Sequence, residues 1–499
     1  MNASEGGLEG RLEAYRSLRH DLERTILPLA TSVDGRRFGF QASLHELAFQ
    51  SGGYVVLEDG GEPRLGQVIT LESASREGPA LAVDLGEDLP AHSQVLLRYA
   101  QGEGVVLEGD GTPFHDATAR PARAQEVAAW LKRTRPPRAT LEVGELVLAQ
   151  GVPFALDAGG FDRHTFLCGQ SGSGKTYSLG LVLERLLLET DLRIVILDPN
   201  SDFVRLGNVR EGADGELASR YAGVTAAVSV RSQRDDGEPL QLAFPELESV
   251  AQAAVLRLDP IADREEYSAL TAALDEWNPA TLMELANSGG EDGRRLLGRA
   301  KNLGVLEWGV WARGAKGSVL REATDPDVRC LVVDLGSLGT RQEQALVAEA
   351  VLGRLWERRG DRSPVLIVID EAHNVCPSEP DDPLTALATE HAVRIAGEGR
   401  KFGLYMLVST QRPQKAHENV LSQCDNLLLM RMNSVADLGF VGDVFSFVPQ
   451  SLLERATTFH QGEALAAGKF SPHPALLRFG ARVSEEGGSD VPSDWAAGR

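Results

Sequence analysis

One contiguous stretch carries the strongest chemical signal in the chain. Gly169-Gln170-Ser171-Gly172-Ser173-Gly174-Lys175-Thr176 fits the spacing G-x-x-x-x-G-K-[ST] throughout. It follows an apolar run, Thr165–Leu167, and opens an apolar helical pattern at Leu179, Leu181, Val182 and Leu183. Glycines at these positions let successive backbone N–H groups turn inward around an oxyanion, where side chains would collide. Lys175 adds a cation for terminal phosphates, Thr176 a hydroxyl for Mg²⁺, and the helix N-terminus its partial positive charge. Gly169, Ser171, Gly172, Ser173, Gly174, Lys175 and Thr176 are therefore the expected nucleotide-binding residues, with ATP and Mg²⁺ as ligands.

Hydrolysis at such a loop needs carboxylates at the end of a buried strand. Val365–Ile369 is apolar throughout and runs into Asp370-Glu371. Asp370 is expected in the Mg²⁺ shell with Thr176, and Glu371 as the group that polarises the attacking water. The alternative is an acidic cap on the next helix. Asp370-Glu371-Ala372-His373 also spells the DEAH box of a helicase superfamily, whose two-lobed accessory motifs the chain does not show, so that match reads as coincidence.

Three more strand-end segments carry polar residues. Asp198-Pro199-Asn200-Ser201-Asp202-Phe203 ends one strand and Ser409-Thr410-Gln411-Arg412-Pro413 another. In open α/β sheets, ligands gather at that edge. Gln411 suits a contact to a γ-phosphate or its water, and reads equally well as part of a turn. Glu398-Gly399-Arg400-Lys401-Phe402-Gly403 precedes the Gln411 strand; an arginine outside the phosphate loop can stabilise charge on a transferring phosphoryl group, and a solvated basic turn is the other reading.

The elements that position these residues fall into several blocks. Residues 1–30 read as a helix, with Leu8, Leu12, Tyr15, Leu18, Leu22 and Ile26 at three- and four-residue intervals. Short β-favouring pieces within 31–110, among them Phe38–Phe40, Tyr54–Leu57, Ala80–Val83 and Val95–Tyr99, predict a small β-barrel. Residues 114–134 read as helical, and Arg135-Pro136-Pro137-Arg138 as a linker that completes a 111–140 connection. From 141 to 484, strands alternate with helices at 175–190, 341–358 and 383–399. That order predicts an α/β fold with a mostly parallel sheet and helices on both faces. A strand-free helical insertion is expected at about 245–312, and the polar 485–499 tail reads as poorly ordered.

Composition narrows the partners. The formal charge is −22, so phosphate backbones are not held by the general surface, and any nucleic-acid site must concentrate basic residues in a confined channel. The four cysteines, Cys168, Cys330, Cys376 and Cys424, lack paired spacing and read as buried thiols in a reducing, cytoplasmic setting. No apolar run approaches the roughly 20 residues of a membrane span, and the mixed charges from Glu5 to Arg24 do not read as a signal peptide. The histidines form no metal-spaced cluster, so no structural metal is expected.

These motifs, in this order, resemble the HerA family of hexameric P-loop ATPases, within the HerA–FtsK superfamily. The resemblance runs from Arg163-His164 into Gly169–Thr176, then through Asp198-Pro199, Asp370-Glu371-Ala372-His373-Asn374, Gly399–Gly403 and Ser409–Pro413. It extends to Gly462-Glu463-Ala464, to Pro472–Pro474 and to the β-rich segment, which looks like the family's small barrel. It implies a RecA-like core, Glu371 as base, Gln411 as sensor, and Arg400 or Arg163 as a finger acting on the neighbouring subunit. It also implies a homohexameric ring with double-stranded DNA in its channel and a nuclease or other effector on the barrel side. One segment departs: the family usually reads His-Gly-Glu-Tyr where this chain has Asn200-Ser201-Asp202-Phe203. The expected function is an ATP-driven DNA translocase or helicase in DNA end-processing or antiviral defence. The alternative is a ring-forming ATPase scaffold that assembles and regulates a partner effector, a nuclease or an NAD-consuming enzyme.

Overall fold

The computed structural model describes residues 5–80, 94–213, 215–234, 238–277, 290–312 and 318–487. The expectations for residues 1–4, 81–83, 278–289 and 488–499 fall outside these. Helix α1 (Glu5–Arg24) comes first, followed by six strands that close into a barrel: β1 (Leu29–Ser32), β2 (Arg37–Ser43), β3 (Tyr54–Glu58), β4 (Arg64–Ala80), β5 (Gln94–Glu108) and β6 (Phe114–Pro121). Their order around the barrel is β1-β2-β5-β4-β3-β6. Alternation sends Phe38, Phe40 and Ala42 of β2 inward to meet Val55, Leu57, Val68 and Ala100. Gly104 and Gly102 on β5 face the two rings; a Cβ on Gly104 would stand 2.3 Å from Phe38, and one on Gly102 2.5 Å from Phe40.

The stretch 114–134, expected to be helical, divides in two. Phe114, Ala117 and Ala119 point into the barrel, with Asp116 at φ 51 adjusting the spacing, so 114–121 is the closing strand. Pro121 then ends the strand, and helix α2 (Ala124–Thr134) follows. Alanine favours a helix when read locally; pairing with β1 and β3 overrides that preference here.

The remainder builds one large sheet. Its strands are β7 (Thr140–Leu146), β8 (Pro153–Asp157), β9 (His164–Cys168), β10 (Arg193–Asp198), β11 (Val228–Ser232), β12 (Glu238–Pro239), β13 (Cys330–Asp334), β14 (Val365–Ile369), β15 (Leu404–Thr410), β16 (Cys424–Met430), β17 (Glu463–Gly468) and β18 (Ala475–Phe479). The order is β12-β11-β13-β10-β14-β15-β9-β16-β17-β18-β7-β8. The pairings from β12 to β16 are parallel, and those from β16 to β8 antiparallel. Strands β14 and β9 flank β15, the arrangement of a RecA-like core.

Burial on both faces explains the apolar runs. Ile367, Ile369 and Phe166 face one core, whereas Leu366, Val368 and Leu167 face the other. Helix α3 (Lys175–Glu189) covers the second face through Leu179, Leu183 and Leu186. The first face is covered by α4 (Ser249–Val255), α7 (Arg341–Glu357) and α8 (Pro383–Glu398), with α5 (Arg264–Trp277) and α6 (Gly290–Leu303) further along the same core. The barrel is tied to the sheet at the turn between β17 and β18. There the Tyr54 hydroxyl lies 2.6 Å from His473 Nε2, and Gln67 donates to the Pro474 carbonyl at 2.9 Å.

Candidate functional site

The parallel strands all finish at one edge, and register decides what meets there. Thr410 pairs with Cys168, Ile369 with Val408, and Leu197 with Ile369. The phosphate loop, the acidic pair, Ser409–Gln411 and Asp198 are thereby brought together from positions as distant in sequence as 169 and 411.

The loop from Gly169 to Gly174 turns back on itself with Gly172 at φ +73 and Gly174 at φ +93, the left-handed region that glycine enters without penalty. Ser171 is exposed at its tip, Ser173 is buried with an unpartnered hydroxyl, and Thr176 lies half-buried in the first turn of α3. Lys175, 4% exposed, extends from that turn across the edge of the sheet. Its Nζ is 2.7 Å from Asp370 Oδ1, 3.0 Å from Glu371 Oε1 and 3.0 Å from Ser409 Oγ. Burial works against its charge, but Asp370 and Glu371 outweigh that and raise its pKa.

Glu371 sits at φ 42, a strained value for a non-glycine residue, which turns its side chain back over the strand end. Gln411 Nε2 donates to Glu371 Oε1 at 2.8 Å, and His373 Nδ1 is 3.2 Å from Oε2. Burial pushes the Glu371 carboxyl up. The bond to His373, the charge of Lys175 and the Gln411 amide outweigh it and hold the group at about 2, ionised. Because Lys175 supplies part of that depression, any shift of its charge away from Glu371 makes the carboxylate more basic.

The residues fit a bound cation. Asp370 Oδ2 is buried without a hydrogen-bond partner. Asp198, Asp202 and Asp370 each offer an oxygen, all within 4.8 Å of one another. Burial first, and then the charge of Asp370, push Asp198 up to about 7 against the N–H bonds from Phe203 and Asp202. Asp202 is raised by burial and by Asp370 as well. Asp370 and Thr176 are the residues that would hold Mg²⁺, with Asp202 and Asp198 behind them. Such an ion supplies charge neutralisation at the phosphate oxygens.

Ser201 adopts φ +63 where the family pattern has glycine, and its hydroxyl donates to Asp334 at 2.6 Å. Asp202 keeps a carboxylate where the family has glutamate. Two residues quoted only as neighbours of Gln411 also contribute, Ser409 on Lys175 and Thr410, whose hydroxyl lies 2.9 Å from His373 Nδ1; Arg431, whose Nη2 donates to the Gly172 carbonyl at 3.1 Å, belonged to no motif. Only the position of Arg431 after the apolar Cys424–Met430 strand places it at this edge.

Arg163 and Arg400 are not at this edge. Each precedes its strand, β9 or β15, so each lies at the opposite end of the sheet. Arg400 bonds to Asp425, and Arg163 Nε is 4.0 Å from the same carboxylate. Between them His164 is buried, its Nδ1 accepting the Met406 N–H at 2.9 Å; burial and the neighbouring Arg400 charge lower its pKa to about 4.

A phosphate loop facing an Asp–Glu pair across an intervening strand that carries the polar Ser409–Gln411 end makes this a P-loop ATPase with a RecA-like core. Within that class the chain is similar to the HerA family: residues 141–295 match the domain described as "Helicase HerA, central domain". Over 167 residues it is 32% identical to the DNA double-strand break repair helicase HerA of Sulfurisphaera tokodaii, which covers 32% of this chain and 33% of that relative. The HerA of Pyrococcus furiosus aligns at 23% identity over 68% of this chain and 69% of its own length. That of Saccharolobus solfataricus aligns at 23% over 87% and 88%. Among the described residues, no helix is long and apolar enough to cross a membrane.

Proposed function

We propose that this ATPase is a DNA translocase or helicase that works as a homohexameric ring with double-stranded DNA in its channel. A nuclease or other effector docks on the barrel side, in DNA end-processing or antiviral defence. One observation carries the ring: the two candidate arginines lie a full strand length from the phosphate loop of their own copy. The seven residues of β15 span roughly 20 Å. No rotamer bridges that gap, so an arginine finger here serves the site of the next copy. A cleft of about 560 Å³ opens beside Glu371 and Gln411, with Asn200, Arg341 and Lys415 on its walls, and would receive such a side chain. A ring also answers the charge of −22, since basic residues need only line the channel. The names of the relatives support work on DNA.

The finger is tested by mixing subunits. Arg400→Ala alone is expected to lose about 10³-fold in kcat, the low end for an arginine finger. Mixed with Glu371→Gln subunits, themselves inactive, it should regain ATPase activity wherever an Arg400 faces an intact Glu371. The same mixture made with Arg163→Ala shows which arginine acts; absence of rescue in both removes the finger.

The acidic surface and the additional helix α1 favour a second reading, a ring-forming scaffold that uses ATP as a switch on a partner effector. Duplex DNA added to the purified chain separates the two. ATP hydrolysis that rises with DNA supports the motor, and hydrolysis that responds only to a protein partner supports the scaffold.

A further inference from the structure

On the face of the sheet away from α3, a second group of ligand-type side chains converges. Glu349 is in the middle of α7 and His391 in the middle of α8, while Glu248 immediately precedes α4. One ligand atom from each lies within 4.8 Å of the other two. Glu349 is 1% exposed and His391 5%, whereas Glu248 is exposed and opens the group to solvent.

The carboxylate of Glu349 is the unusual member. Its Oε2 is buried with no hydrogen-bond partner, and its Oε1 meets His391 Nε2 at 3.5 Å, long for a charge-assisted bond. A buried carboxylate with so little compensation is costly unless a cation shares its space. Gly353, one turn beyond Glu349, leaves that space open: a Cβ there would stand 3.1 Å from His391 Nε2 and 3.3 Å from Glu248 Oε1. Two ligand atoms about 2.1 Å from one tetrahedral ion lie roughly 3.4 Å apart, close to the observed separation of Glu349 and His391.

We propose that Glu248, Glu349 and His391 form a Zn²⁺ site, separate from the nucleotide site, that staples the start of the helical segment at α4 to α7 and α8. One imidazole and two carboxylates suit Zn²⁺ better than Mg²⁺ or Ca²⁺, which take oxygen ligands alone. Three protein ligands leave a fourth position for water at the Glu248 rim. The staple joins helices that carry none of the phosphate-loop, cation or base residues, so its loss is read in metal content and stability.

The test uses the full chain purified without chelator, with metal content measured by mass spectrometry and the stripped protein titrated with Zn²⁺ and with Co²⁺. Wild type should hold about one Zn²⁺ per chain, show the visible absorption of tetrahedral Co²⁺, and gain thermal stability on adding Zn²⁺. Asp370→Asn, which disables the nucleotide-site cation, should keep all three properties. The near-isosteric Glu349→Gln and His391→Gln should lose more than the roughly 10–100-fold in Zn²⁺ affinity that removal of an outer-shell partner costs. The proposal is overturned if wild type binds neither ion, or if both glutamine variants bind Zn²⁺ as tightly as wild type. It is overturned equally if Asp370→Asn abolishes the bound ion. Should Glu349→Gln raise stability while wild type ignores Zn²⁺, the pair is a plain buried Glu–His contact and the site does not exist.

Discussion

Lys175→Ala is expected to lose nucleotide binding, and stability with it. The ammonium is buried against Asp370 and Glu371, which are themselves 0% and 4% exposed. Removing it deletes a charge-assisted contact to phosphate worth about 3 kcal/mol, or roughly 100-fold in affinity. The same substitution leaves two carboxylates buried with Asp198 and Asp202 nearby and no cation among them, and breaking a buried pair from one side costs about 3–5 kcal/mol. The two effects separate by experiment: titration with a fluorescent ATP analogue reads the first, and thermal melting without nucleotide reads the second. Lys175→Arg should restore most of the stability, because it keeps the charge, and little of the binding, because the fork of the guanidinium does not match the narrow turn at Gly174. ATP bound by Lys175→Ala as tightly as by wild type would contradict the assignment of the phosphate loop.

Glu371→Gln should instead bind ATP and fail to turn it over. Glutamine is close in size, tolerates the φ of 42 as well as glutamate does, and can still accept from the Gln411 amide. What it lacks is the negative charge that polarises water, and removing a positioned general base costs about 10²–10⁴ in rate. Single-turnover hydrolysis should fall within that range while ATP affinity changes little, so the variant retains bound ATP and is the form in which an assembled ring should persist. Turnover at the wild-type rate would take the base role from Glu371. The sheet edge offers Asp202 as the next carboxylate, half-buried and close to Asp370.

The nucleotide loop was legible because its information is local. A handful of adjacent residues set the turn, and the apolar runs on either side declare a strand and a helix. Strands β14 and β15 were legible for a related reason: a strand buried on both faces must be apolar along its whole length, and few other elements look like that. The barrel strand at 114–121 was not, because its inward positions are mostly alanines, whose side chains are too small to reveal an alternation. The antiparallel edge made by β17, β18, β7 and β8 draws on residues at both ends of the ATPase segment, and no local pattern announces such a pairing.

Read as a string, the chain names its chemistry. A phosphate loop, an acidic pair and a strand-end glutamine have meanings that follow from residue type and spacing, since each is a property of a few neighbouring backbone units. Folding alone decided which of them touch. Parallel register carried Asp370, Glu371, Ser409 and Gln411 to Lys175, and it carried Arg163 and Arg400 to the far edge beside Asp425. It also set Glu248, Glu349 and His391 around one small space. Distances between residues far apart in sequence depend on strand order and on the packing of two cores, quantities spread over the whole chain and encoded in no segment of it.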